Sequence, residues 1–174
     1  IDNATAGDTI NVGNGIYTES IKINKSLTLI GTGYSNTTVI DTNGFSAINI
    51  TADDVVIDGF DIKFFGTHAI MIKEVDNVTV KNSRINTTQD ERLGIWICGS
   101  NNGCHPSSNI FIDNNTVLIN NKATGIYADN SNPAHSNFYV RNNVFEAPNL
   151  GVNVELYDVD TAFVTGNTFG KSGS

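Results

Sequence analysis

The sequence predicts an all-β fold, a right-handed parallel β-helix of about six to seven rungs with three short strands per rung. Three observations predict it. A short apolar segment recurs along the chain, a second segment recurs in step with it, and asparagine is abundant where helix formers are not. The 174 residues include 25 Asn and 18 Thr but only three Pro and one Met, a balance that favours turns and polar ladders over long helices.

The first strand of each rung comes from the segments Ser26-Leu-Thr-Leu-Ile-Gly31, Asp54-Val-Val-Ile-Asp-Gly59, Asn77-Val-Thr-Val-Lys-Asn82, Asn109-Ile-Phe-Ile-Asp-Asn114, Asn137-Phe-Tyr-Val-Arg-Asn142 and Thr161-Ala-Phe-Val-Thr-Gly166. Their anchors, Leu29, Ile57, Val80, Ile112, Val140 and Val164, are 28, 23, 32, 28 and 24 residues apart. The second strand is marked five residues past the anchors by Ile62, Ile85, Val117, Phe145 and Phe169. The third comes from Ala47-Ile-Asn-Ile50, Ala69-Ile-Met-Ile72, Gly94-Ile-Trp-Ile97, Gly125-Ile-Tyr-Ala128 and Gly151-Val-Asn-Val154.

Three period-two segments per unit leave no room for a helix. A unit this small buries its apolar face only by stacking on its neighbours, strand over strand at about 4.8 Å. Parallel pairing needs a long crossover, which the other two strands of the rung supply. A β-sandwich would not require matched positions at a common offset. After the first strand come Gly31, Gly59, Asn82, Asn114, Asn142 and Gly166, residue types that tolerate left-handed backbone. One position on, the series reads Phe60, Ser83, Asn115, Asn143 and Asn167, and its three asparagines place carboxamides where they can bond from rung to rung.

Ten basic against eighteen acidic residues give a net charge of −8, which leaves no footprint for nucleic acid. No apolar run reaches about 18 residues, so direct membrane insertion is not expected. Seven Asn-x-Ser/Thr sequons, at Asn3, Asn24, Asn36, Asn49, Asn77, Asn86 and Asn114, fit an extracellular or cell-surface chain. Cys98 and Cys104 flank a loop-like Gly-Ser-Asn-Asn-Gly, so a disulfide is expected in an oxidising compartment, with free thiols the alternative. The pair lacks Cys-x-x-Cys spacing and has only His105 beside it, so neither metal nor cofactor is expected.

Residues Ala6 to Gly31 and Thr38-Val-Ile-Asp41 resemble the start of NosD-like right-handed β-helix proteins, within the broad pectate-lyase-like class, and are similar to surface proteins of methanogenic archaea. The resemblance covers nearly the whole chain. It implies the fold and a surface setting but no activity, because the same fold hosts lyases, hydrolases, esterases, adhesins and surface-layer proteins. NosD-like proteins are often labelled copper-binding; one Met with His68, His105 and His135 scattered over different turn-like stretches makes no recognisable copper site. Family members usually begin with a further strand and a capping helix, so the chain, read as a single domain over residues 1–174, is expected to have an incomplete N-terminal cap.

Strand alternation places Asn49, Met71, Trp96, Tyr127 and Asn153 in one outward row of the third strand. Adjacent Trp96 and Tyr127, with Asn153 and Arg92 nearby, are the candidate carbohydrate-binding residues, since a sugar stacks its C–H face on a ring while its hydroxyls find polar partners. Long loops folding over the aromatics are the alternative. One position further, Asp129 and Glu155 would lie about 5 Å apart on neighbouring rungs, the spacing of a retaining glycosidase pair. They are weak catalytic candidates, and two solvated carboxylates are the plainer reading. On the first strand, Phe111, Tyr139 and Phe163 form an outward stripe, the candidate contact with another subunit. Beside it Asp58, Lys81, Asp113 and Arg141 alternate in sign and support the register. The function expected is a structural or adhesive surface module that self-assembles end to end into a filament or surface layer, with other copies of itself or a cell-surface polymer as partners. The alternative is a polysaccharide-binding or polysaccharide-degrading domain, a lyase or glycoside hydrolase if it is an enzyme.

Overall fold

In a computed structural model the described residues, 1–41, 44–87, 92–120, 122–147 and 151–170, wind into a coil walled by three parallel sheets. The first sheet stacks β1 (Thr9–Val12), β4 (Thr28–Gly31), β7 (Val56–Asp58), β10 (Asp76–Lys81), β13 (Ser108–Asp113), β16 (Ser136–Arg141) and β19 (Ala162–Thr165). The second stacks β2 (Gly15–Thr18), β5 (Thr37–Asp41), β8 (Asp61–Phe64), β11 (Arg84–Thr87), β14 (Thr116–Ile119), β17 (Val144–Glu146) and β20 (Thr168–Gly170). The third stacks β3 (Ile21–Ile23), β6 (Ser46–Ile50), β9 (His68–Ile72), β12 (Leu93–Ile97), β15 (Thr124–Ala128) and β18 (Val152–Leu156). Among the described residues the only helical element is a short 3₁₀ turn, Ser100–Asn102.

The six anchors form one column. Leu29 pairs with Ile57, Ile57 with Val80, Val80 with Ile112, Ile112 with Val140 and Val140 with Val164, and the first five are buried. Ile10 opposite Leu29 extends the column by one rung. A second column runs Ile62, Ile85, Val117, Phe145, Phe169. Each Ile, Val or Leu removed from water in these columns is worth about 1.5–3 kcal/mol. That gain sets the register, because a slip of one residue would turn every apolar side chain outward.

The corner between the first two sheets is turned by one left-handed residue: Gly59 at φ 80°, Asn82 at 52°, Asn114 at 54°, Asn142 at 55° and Gly166 at 66°. Gly31 departs from the series. The left-handed residue there is Gly33, at φ 102°. Gly31 is required instead because a Cβ on it would run into the Gly59 carbonyl.

Behind these corners the carboxamides stack as expected. Asn115 Nδ2 donates to Asn143 Oδ1 at 3.0 Å and Asn143 Nδ2 to Asn167 Oδ1 at 3.0 Å. Each also donates to a carbonyl on the preceding strand, Asn115 to Val80 at 2.9 Å and Asn143 to Ile112 at 2.7 Å. Asn115 and Asn143 are buried, so these bonds satisfy groups that would otherwise be stranded. A second ladder stands at the opposite end of the first sheet, on its outer side. Asp54, Asn77, Asn109 and Asn137 are all left-handed, at φ 56°, 60°, 54° and 57°. Nδ2 of Asn77, Asn109 and Asn137 donates to the residue one rung earlier at 2.9, 3.0 and 3.1 Å.

In the third sheet Ala47 and Ile48 are both buried although adjacent, as are Ala69 and Ile70, and Gly94 and Ile95. Backbones come close there, so a small residue fits best: a Cβ on Gly94 would overlap the Gly125 carbonyl. The last rung departs from the expected alignment. Val152 pairs with Thr124, Val154 with Ile126, Glu155 with Tyr127 and Leu156 with Ala128, two residues away from a Gly151-on-Gly125 match. A two-residue shift keeps every apolar side chain on the same face, so alternation alone cannot choose between the two registers.

Candidate functional site

The candidate site is the outer face of the third sheet. With the register above, its central row reads Lys22, Asn49, Met71, Trp96, Tyr127, Glu155. Trp96 and Tyr127 are opposite one another on adjacent strands, as expected. Asn153 is not in that row. It falls beside Gly125, where its backbone carbonyl would meet a Cβ.

Sequence alternation did not mark His68 or Phe45 as members of this face. His68 begins β9, in a strand and not a turn, and is buried. Its ring stacks on Trp96 with centroids 4.3 Å apart and planes 18° from parallel. Phe45 meets His68 edge-on at 4.8 Å and Trp96 at 6.2 Å. His68 therefore occupies one face of the indole. Burial, helped by the Arg92 charge and opposed by a hydrogen bond at the Phe45 backbone, lowers the His68 pKa to about 4, so the imidazole is neutral at physiological pH. His68 Nδ1, Asn49 Oδ1 and Arg92 Nε are buried without a hydrogen-bond partner among the described residues. A hollow of about 190 Å³ lies at the start of this face, lined by Lys22, Phe45, Ser46 and Asn49 among others. Burial first, then the charge of Asp129, raises the Tyr127 phenol, with Tyr157 and Glu155 adding to it.

Asp129 and Glu155 do not form a facing pair. Glu155 is opposite Tyr127, whereas Asp129 lies two residues beyond Tyr127, buried between the two long corner loops. Asp129 is bound by Asn102 Nδ2 through one oxygen and by its neighbour Asn130 N–H at 2.9 Å through the other. The same loops are tied by His135. Ser107 N–H donates to its Nδ1 at 2.9 Å, which fixes the other nitrogen, Nε2, as the one that donates to the Asp129 carbonyl at 3.0 Å. Burial lowers the His135 pKa. Asp129 and His135 are thus fasteners of the loops.

Cys98 and Cys104 are joined in a disulfide that closes the first of those loops. On the first sheet, Phe111 and Tyr139 stack at 4.7 Å and 5°, and Tyr139 and Phe163 at 5.2 Å and 10°. Their faces are turned to one another, so the stripe offers ring edges to its surroundings, with the Arg141 guanidinium 5.4 Å from the Tyr139 centroid. Arg141 and Lys81 pair with Asp113 at 2.6 Å and Asp58 at 3.4 Å. Among the described residues no three His, Cys, Asp or Glu side chains converge as metal ligands.

The chain is 38% identical over 92 residues to a cell surface glycoprotein of Methanothermus fervidus, a match that takes in 53% of this chain and 15% of that protein. Among solved structures, a pectin methylesterase from Yersinia enterocolitica superposes with a TM-score of 0.46 at 13% identity, over 80% of this chain and 60% of that one. The Aspergillus niger pectin methylesterase gives 0.48 at 12%, over 97% and 77%. Likenesses this distant carry nothing about chemistry. The family model described as "Right handed beta helix region" matches residues 10–169, and with the anchors stacked in a single column through three parallel sheets, the chain belongs to the right-handed β-helix family.

Proposed function

We propose that this coil is a structural or adhesive module at the cell surface, and that copies associate along the Phe111, Tyr139 and Phe163 stripe. The observation that carries the reading is the stack itself, three rings at 4.7 and 5.2 Å on consecutive strands of the first sheet, an apolar row of the kind that marks contact surfaces. Likeness to a methanogen cell surface glycoprotein supports the setting. Sedimentation of the purified chain is expected to show association that Tyr139→Ala weakens. Uniform monomers at high concentration would overturn the association.

A second reading, polysaccharide binding across the third sheet, is favoured by the unpartnered polar atoms of Asn49, His68 and Arg92 around Trp96. A glycan array probed with the chain and with Trp96→Ala tests it. Binding that disappears with the indole supports it, and an array without signal removes it.

A further inference from the structure

The seven sequons are not equivalent in the fold. Asn77 and Asn114 are exposed like Asn24 and Asn36, but they are ladder members. Asn77 Nδ2 donates to Asp54 Oδ1 at 2.9 Å while its own Oδ1 accepts from Asn109 Nδ2 at 3.0 Å. Asn114 Nδ2 donates to Asn82 Oδ1 at 2.7 Å. The hydroxyl residues Thr38, Thr79 and Thr116 of the Asn36, Asn77 and Asn114 sequons all lie in strands, so it is the carboxamides that separate them. Asn24 is exposed on the turn after β3. Asn36 is exposed on the corner before β5, with a single 3.3 Å bond from Nδ2 to Thr32 O inside its own turn. Asn49 and Asn86 stand mid-strand and half-buried, outside this contrast.

We infer that Asn24 and Asn36 are the N-glycan acceptors of this fold, and that Asn77 and Asn114 stay unmodified because their carboxamides are held by the rung ladders. Transfer from an activated, lipid-phosphate-linked oligosaccharide forms the Nδ2–C1 bond as the C1–O bond breaks. The phosphate leaves with the bonding pair, and Nδ2 gives up one proton. The nitrogen must therefore be free of its partners and open to a large donor. Each ladder bond that has to open first lowers the reactive fraction by about tenfold. Asn3 is placed with Asn24: Lys25 Nζ, one residue after Asn24, donates to the carbonyls of Asp2 at 2.8 Å and Ala4 at 2.9 Å, the neighbours of Asn3. Sugars on Asn24 and Asn36 would decorate the first two rungs. No sequon follows Asn114, so the later rungs that carry Phe111, Tyr139 and Phe163 would be left bare.

Glycopeptide mass spectrometry of the chain secreted by a yeast that N-glycosylates its exported proteins tests this. Export is supplied by the host, so a failure tells against the acceptor assignment and not against the surface setting. Glycans are expected at Asn24 and Asn36, with occupancy at Asn77 and Asn114 at least about tenfold lower. Asn36→Gln is expected to remove one glycan mass and leave Tm within about 2 °C, whereas Asn114→Gln leaves the glycan mass unchanged and lowers Tm by about 2–4 °C. Equal occupancy at Asn77 or Asn114, or no glycan at Asn24 and Asn36, overturns the inference.

Discussion

At the scale of single residues, the buried carboxamides do what a hydrophobic side chain could not: they close a turn and bind consecutive rungs together. Asn143 is the most connected. It receives the Asn115 N–H at 2.8 Å and the Asn115 Nδ2 at 3.0 Å, and donates to Ile112 O and Asn167 Oδ1. Asn143→Asp keeps the shape but sets a carboxylate oxygen against the Ile112 carbonyl. Urea unfolding is expected to show a loss of about 3 kcal/mol or more, since a buried charge then keeps the two Asn115 donors on one oxygen but sets the other against two acceptors, Ile112 O and Asn167 Oδ1. Asn143→Ser, smaller and neutral, is expected to cost less. This ladder was legible because Asn115, Asn143 and Asn167 share one offset from the anchors. The outer ladder was equally written, in the Asp54, Asn77, Asn109 and Asn137 that open the same segments, but a polar residue before a strand is common enough that its left-handed backbone went unmarked. His68 could not be found by alternation at all, because burial in β9 runs unbroken from His68 to Ile72 and alternation leaves no contrast there.

At the scale of elements, the third sheet is held by a column of missing side chains. Gly94→Val forces a Cβ into the Gly125 carbonyl, and hydrogen bonds on both sides of β12 keep the strands from separating. A loss of about 2–4 kcal/mol is expected by denaturant unfolding, against a smaller loss for Ala69→Gly, which removes volume without a clash. The Cys98–Cys104 bridge closes a loop of six-residue separation, worth about 2 kcal/mol by loop entropy. Reduction should lower Tm while leaving the far-ultraviolet β signal at low temperature unchanged. A collapse of that signal would show that the bridge holds the coil itself. The Asp129–Glu155 pairing failed at this scale. Two registers two residues apart bury the same face, and they differ only in which apolar side chains meet, here Val154 on Ile126 and Leu156 on Ala128.

At the scale of the whole molecule, two buried neutral imidazoles make the coil sensitive to acid. Unfolded His68 takes up a proton near pH 6.5, while the folded residue resists until about 4. Its contribution to stability is complete above pH 6.5, is lost progressively as pH falls, and is gone below about 4, a drop on the order of 3 kcal/mol. The lowered pKa of His135 acts in the same direction. Urea midpoints at pH 7 and pH 4.5 should differ markedly, and His68→Phe, which keeps a ring on Trp96 but cannot titrate, should narrow the gap. An unchanged gap would place the acid sensitivity elsewhere. The architecture itself was the most legible part of the sequence, because six anchors repeated at irregular intervals with constant internal offsets admit few other folds.

The 32-residue interval and the 28-residue one after it are absorbed at one place. From Ile95 to Ile112 the chain takes 17 residues and from Ile126 to Val140 it takes 14, yet Ile112 and Val140 sit opposite each other like any other pair of anchors. The corner from the third sheet to the first is where chain is added without moving the anchors apart. Gly103, left-handed at φ 74° and with open space where a Cβ would project, marks its tip. A foreign peptide spliced there would be carried sideways off the shaft as a displayed epitope, and a row of such coils could be coded rung by rung with different cargoes.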